Sequence, residues 1–160
     1  MRLTALLAAL LVTACESSTD LVASETFGAS LSGGAVRPNS IQSTASGNFS
    51  VTLKSNTSVA TYELSFNGLA GPATAAHIHG PAADTAVAET LINFAAPPGS
   101  GTIQLGASGT ASGEFDLHSD ITASVSGDSL FKLLHAGRLY VDVHTASNGG
   151  GEIRGQIKKN

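Results

Sequence analysis

The sequence contains no tryptophan, one methionine and one cysteine, and aromatic residues make up only 5% of it. The lone cysteine, Cys15, excludes an intramolecular disulfide, so a stable fold has to rest on an apolar core. Lysine and arginine together number 8 against 12 aspartates and glutamates, for a formal net charge of −4. These basic residues are scattered. No basic stripe of the kind that grips a phosphate backbone is present, which argues against nucleic acid as a partner. Long charge runs are missing as well. So are a Gly-x-Ser-x-Gly elbow, a phosphate-cradling Gly-Lys-Ser/Thr loop and a His-Glu-x-x-His helix. The runs Gly33-Gly34 and Gly149-Gly150-Gly151 precede no helix start, so they read as turns rather than nucleotide loops. Asp142 and Glu152 would serve as paired acid and base only without a cation between them, and Arg154 is placed to neutralise them.

What the chain does contain is a 42% apolar content over 160 residues, enough for one core and one domain. Leu3 to Val12 is apolar except for Thr4. This run is too short to span a bilayer but suits the centre of a secretion signal. Val12-Thr13-Ala14-Cys15 resembles the bacterial lipobox. The resemblance implies removal of residues 1–14 as a signal peptide and diacylglyceryl attachment at Cys15. The protein would then be held by lipid in the bacterial cell envelope, facing the periplasm or the cell surface, with the membrane as its partner. Residues 15–24 are polar and read as a tether, leaving 25–160 as the folded domain.

Within that domain the dominant signal is alternation. Phe49, Val51 and Leu53 interleave with Ser50, Thr52 and Lys54; Tyr62, Leu64 and Phe66 interleave with Glu63 and Ser65. Further strand-like runs start at Glu25 and lie at Thr74–Pro81, Val87–Phe94, Thr102–Leu105 and Gly113–Leu117. Strands at this spacing, parted by Gly, Ser, Thr and Pro, predict an all-β fold. The expected form is an antiparallel β-sandwich or barrel, immunoglobulin-like or superoxide-dismutase-like. One stretch departs from the rhythm. Leu130, Phe131, Leu133 and Leu134 fall at helical spacing, with Asp128 or Ser129 to cap the start and Gly137 to end it. They predict one short helix before the C-terminal hairpin.

That hairpin organises the polar chemistry. Leu139, Val141 and Val143 alternate with Tyr140, Asp142 and His144. After a glycine-rich loop of about five residues, Ile153, Gly155 and Ile157 alternate with Glu152, Arg154 and Gln156. Simple pairing sets His144 opposite Glu152 and Asp142 opposite Arg154 on one polar face. His77 and His79 likewise share one side of their strand, while Ala76 and Ile78 take the other. If the two segments are neighbours, His77, His79 and His144 converge, with Asp142 or Glu152 as a fourth ligand or an outer acceptor, and copper or zinc is the candidate ion. A His-x-His strand on a β-barrel is loosely similar to the copper-holding strand of copper–zinc superoxide dismutase. The other reading of the same residues is a cross-strand network that pins register, without any metal.

Ala76-His-Ile-His-Gly-Pro81 together with Leu139-Tyr-Val-Asp-Val-His-Thr145 and Gly151-Glu-Ile-Arg-Gly-Gln-Ile157 resembles the CHRD domain, a family named for its repeats in chordin. The resemblance extends over about residues 25–158. It includes the openings Phe27–Gly33 and Ser46–Leu53, and departs from the family in the loop that keeps only Arg37-Pro38. It implies a β domain acting outside the cytoplasm in binding or envelope structure rather than catalysis. By analogy with chordin, it also implies a protein partner on the polar face, reached through Tyr140 or Arg154.

Overall fold

The computed structural model describes residues 24–54, 57–94, 102–103, 106–119 and 125–160. The expected signal peptide, Cys15 and the expected tether up to residue 23 lie outside the described residues, as does the loop expected at 95–100.

The alternating runs are strands. They are β1 (Ser24–Ser32), β2 (Ser46–Lys54), β3 (Val59–Asn67), β4 (Ala73–His79), β5 (Thr90–Asn93), β6 (Thr102–Ile103), β7 (Gly109–Asp116), β8 (Tyr140–Thr145), β9 (Asn148–Gln156) and β10 (Lys158–Lys159). The fold is all-β and antiparallel, one 10-stranded sheet in the order β5-β4-β8-β9-β1-β2-β3-β7-β6, with β10 paired to β1. Period-two alternation puts every second side chain inside. On β3, Ala60, Tyr62, Leu64 and Phe66 are buried while Thr61, Glu63 and Ser65 are exposed.

The sheet curls so that its two arms face one core. β1 meets β9 through the single register pair Ser32↔Arg154, whereas it pairs with β2 along its whole length. That thin seam is the fold line. Across the core, Phe94 after β5 stacks on Tyr62 of β3 at 4.4 Å and lies 5.9 Å from Phe49 of β2.

The expected helix forms as α1 (Gly127–His135). Its cap is Ser126, which accepts from the Ser129 backbone N–H, rather than Asp128 or Ser129. At the other end Gly137 has φ 61°, its N–H donates to Leu134 and that of Arg138 donates to Leu133, the paired bonds of a Schellman ending. Leu130 and Leu134 are buried, but Phe131, expected on the same apolar stripe, is 42% exposed.

The C-terminal hairpin is tighter than expected. Only Ala146 and Ser147 separate β8 from β9. Gly149–Gly151 belong to β9 rather than to a turn, and the register shifts between Val143 and Thr145. Asp142↔Arg154 and Val143↔Ile153 pair as alternation requires. Beyond them the glycine run bulges around His144, and His144 does not face Glu152.

Candidate metal centre

β4 and β8 are direct neighbours, with His77 across from Asp142, His79 across from Tyr140 and Ala75 across from His144. The aliphatic face of β4 sends Ala76 and Ile78 into the core at 2% and 1% exposure. Its other face therefore carries both histidines to the polar side, where His144 and Asp142 already stand. His77, His79, Asp142 and His144 each present one donor atom within 4.8 Å of the others.

The closest approaches are His144 Nε2 to Asp142 Oδ1 at 2.9 Å, His77 Nδ1 to His144 Nε2 at 3.0 Å and His79 Nε2 to Asp142 Oδ1 at 3.1 Å. His77 Nδ1 lies 3.9 Å from the same carboxylate oxygen. Donors about 2.0–2.1 Å from one tetrahedral ion stand roughly 3.3 Å apart. The four closest separations, 2.9–3.9 Å, bracket that figure, and the wider pairs, within 4.8 Å, would have to draw inward around an ion.

The protons decide what this cluster can do. The far nitrogen of His79, Nδ1, lies 3.0 Å from the Ala88 carbonyl, and that of His144 lies 3.0 Å from the Gly149 carbonyl. A carbonyl only accepts, so in both rings Nδ1 carries the hydrogen. In a neutral imidazole Nε2 is then a lone pair. In that neutral form both Nε2 atoms point lone pairs at Asp142 Oδ1, itself an acceptor, while His77 Nδ1, 3.0 Å from His144 Nε2, can donate or accept. Without a cation the group is satisfied by protons placed on the two Nε2 atoms. A single divalent ion could do the same work, with each backbone carbonyl orienting a ligand ring as outer partners of metal-bound histidines do.

The electrostatics are mutual. Burial, then the neighbouring His144 and His79, bring the His77 pKa down to about 4, against a smaller opposing pull from Asp142. Burial pushes Asp142 up, but its hydrogen bonds with His144 and His79 outweigh this and hold its carboxyl below the ordinary range. Burial also depresses His144, and its contact with Asp142 more than reverses that, leaving it raised.

Tyr140 lies parallel to the His79 ring, 6° between planes at 4.8 Å. Its hydroxyl accepts from the Ala88 N–H at 3.2 Å, so His79 and Tyr140 grip the same residue of the covering loop. Arg154 caps the stack, its guanidinium carbon 3.5 Å from the Tyr140 centroid, and donates from Nη2 to the Ala83 carbonyl. Among the described residues Arg154 makes no ion pair with Asp142 or Glu152, contrary to the expectation of a neutralising bridge. Its partners are a ring and a carbonyl.

Glu152 is not part of the cluster. It is fully buried, and its Oε1 accepts from Ser43 Oγ at 2.8 Å and the Ala70 N–H at 2.9 Å. Its Oε2 accepts from Thr145 Oγ1 at 2.8 Å and Asn148 Nδ2 at 3.1 Å. Burial raises its pKa, and these donors pull it below the usual value. The bulge at Gly149–Gly151 is what turns it away from His144. Sequence reasoning had no sign of Ala88 and Gly149, which act through backbone carbonyls. His118 and His135 stand outside the site. His135 pairs with Glu25 at 2.9 Å.

The strand pair that carries the histidines and the glycine-bulged hairpin are also what a family comparison matches. The model of the CHRD domain matches residues 27–157. The chain belongs to the CHRD domain family. In this CHRD domain the matched region takes in all four cluster residues and the Glu152 anchor. No curated protein and no solved structure matched the chain.

Proposed function

We propose that this protein is a non-catalytic CHRD module that holds one divalent transition metal, zinc or copper, through His77 Nδ1, His79 Nε2, His144 Nε2 and Asp142 Oδ1. The observation that carries the reading is the convergence of four ligand atoms within 4.8 Å of one another, with the carbonyls of Ala88 and Gly149 holding the neutral-ring hydrogen of two of them on Nδ1. Three imidazoles and one carboxylate suit zinc or copper and not calcium or magnesium, which prefer all-oxygen sets. Four protein donors fill a tetrahedral ion and leave no position for water, the pattern of a structural rather than a catalytic zinc site. The metal would then lock β4 to β8 beneath the loop over residues 80–89.

The apolar run before Cys15 supports the further reading that lipid on that cysteine tethers the module to the bacterial envelope. A protein partner at the polar face, near Tyr140 and Arg154, completes the proposed role.

Metal analysis of protein purified without a histidine tag tests the central claim. One equivalent of zinc or copper is expected, lost in His77→Ala and in His144→Ala. Absence of metal after micromolar exposure, with both variants merely destabilised, would leave the cluster as a register-pinning network. Palmitate labelling of the full chain, abolished by Cys15→Ala, tests the tether.

A further inference from the structure

Arg154 is only 3% exposed, yet one of its two terminal nitrogens goes unused among the described residues. Nη2 is spent on Ala83 and the flat face on Tyr140. Nη1 is buried and has no hydrogen-bond partner among the described residues. A buried guanidinium N–H without an acceptor is strongly unfavourable, so its place in the fold calls for one.

Arg154 lines a cavity of about 20 Å³ whose walls also include Arg37, Tyr140, Asp142 and Gly151. That is room for roughly one oxygen-sized group. Gly151, at φ 103°, adds no side chain there. A Cβ on it would come within 3.4 Å of Asp142 Oδ2. Arg37 cannot supply the missing acceptor, and its own Nη1 is engaged by the carbonyls of Gly34 and Val36.

The charges around the cavity favour an anion only once the histidine cluster holds a cation. Arg37 and Arg154 contribute two positive charges, offset by Asp142 and by Asp84, which also acts on Arg154. The walls are thus neutral by themselves, and a divalent ion on the histidine cluster leaves them with a net charge of +2. We propose that this cavity is a carboxylate subsite. One oxygen of a carboxylate-bearing ligand enters it and accepts from Arg154 Nη1, beside the metal centre and not bound to the metal. The subsite rests on the metal reading for its surplus charge. It identifies the chemistry of a partner that would dock on the polar face, an exposed carboxylate.

The experiment is a titration of zinc-loaded, untagged protein with formate at constant ionic strength, followed by NMR of the arginine side chains and of the Tyr140 and Gly151 amides. Saturable shifts centred on Arg154 are expected, with half-saturation weakened roughly tenfold in Arg154→Lys, or about 1.4 kcal/mol. If that variant fails to fold, Arg37→Gln, which removes one charge and leaves Arg154 in place, is expected to weaken formate several-fold. Shifts that stay linear with formate, with zinc bound, mean that a water fills the cavity and overturn the subsite while the metal reading stands. Failure to load either zinc or copper overturns the metal reading instead. The same titration of metal-free protein then decides the cavity alone: weak saturation at Arg154 supports it, and its absence removes it.

Discussion

Two buried carboxylates on one hairpin, Asp142 and Glu152, have opposite surroundings. Glu152 is ringed by donors: Ser43, Ala70, Thr145 and Asn148 meet both of its oxygens. Asp142 Oδ1 faces the ring nitrogens of His79 and His144, whose neutral forms keep their hydrogen on Nδ1, so each bond to Asp142 needs an added proton on Nε2. The first acid is complete within the protein. The second is complete only with something added. A buried carboxylate is therefore identified as scaffold or as site by the protons of its neighbours, not by its burial or charge.

The largest expected effect tests the scaffold side. Glu152→Gln places an amide N–H₂ against donors and is expected to lower stability by about 3 kcal/mol, read as a fall in the urea midpoint. Zinc stoichiometry at low temperature should stay unchanged. If the metal is lost while the midpoint holds, the division of roles between the two acids is broken.

Asp142→Asn is expected to act the other way round. Metal affinity should fall roughly 100-fold, about 2.7 kcal/mol, measured by competition with a chelator. The metal-free variant should be at least as stable as the wild type, since the new amide can donate to a histidine Nε2. A loss of metal-free stability as large as that of Glu152→Gln would make Asp142 a second scaffold residue.

Acid unfolding of the metal-free protein separates the regions by pH. His77 has its folded pKa lowered from 6.5 to about 4. Its contribution is complete above about 6.5 and drains as pH falls toward 4. Glu152 and Asp142 are lowered below ordinary values of 4.5 and 3.8, so their contributions are complete above those values and vanish only as pH falls further. His144 is raised and acts in the other window: its contribution is full below 6.5 and fades as pH rises through its folded value. Urea midpoints against pH should show two legs, the upper one flattened by His77→Ala and the lower one by Glu152→Gln. The smallest effect is assigned to Tyr140→Phe, which removes both hydroxyl bonds to Ala88 and should lower stability by about 1 kcal/mol without displacing the metal.

Much of this was legible in the sequence wherever side chains alternate. The runs in β2 and β3 could be read residue by residue, because each inward position carries an aliphatic or aromatic group. The His-x-His face and the pairing of Asp142 with Arg154 followed from the same period. The glycine run was misread because glycine carries no pattern. Three glycines signal a turn, whereas here they bulge a strand, and that bulge moved Glu152 out of the site. The adjacency of β4 and β8, more than sixty residues apart in the chain, is a tertiary fact that periodicity leaves open. The orienting carbonyls of Ala88 and Gly149 belong to the backbone and leave no mark on composition.

Glu152 gathers segments as distant as Ser43 and Asn148, and β9 occupies the middle of the strand order although it is nearly the last strand made. Synthesis from the N-terminus therefore delivers the keystone near the end. Until it arrives, β1 and β8 each present a bare edge, and a chain cut short before residue 150 would leave two half-sheets with nothing to join them. Completion of the sheet therefore waits on the last residues of the chain.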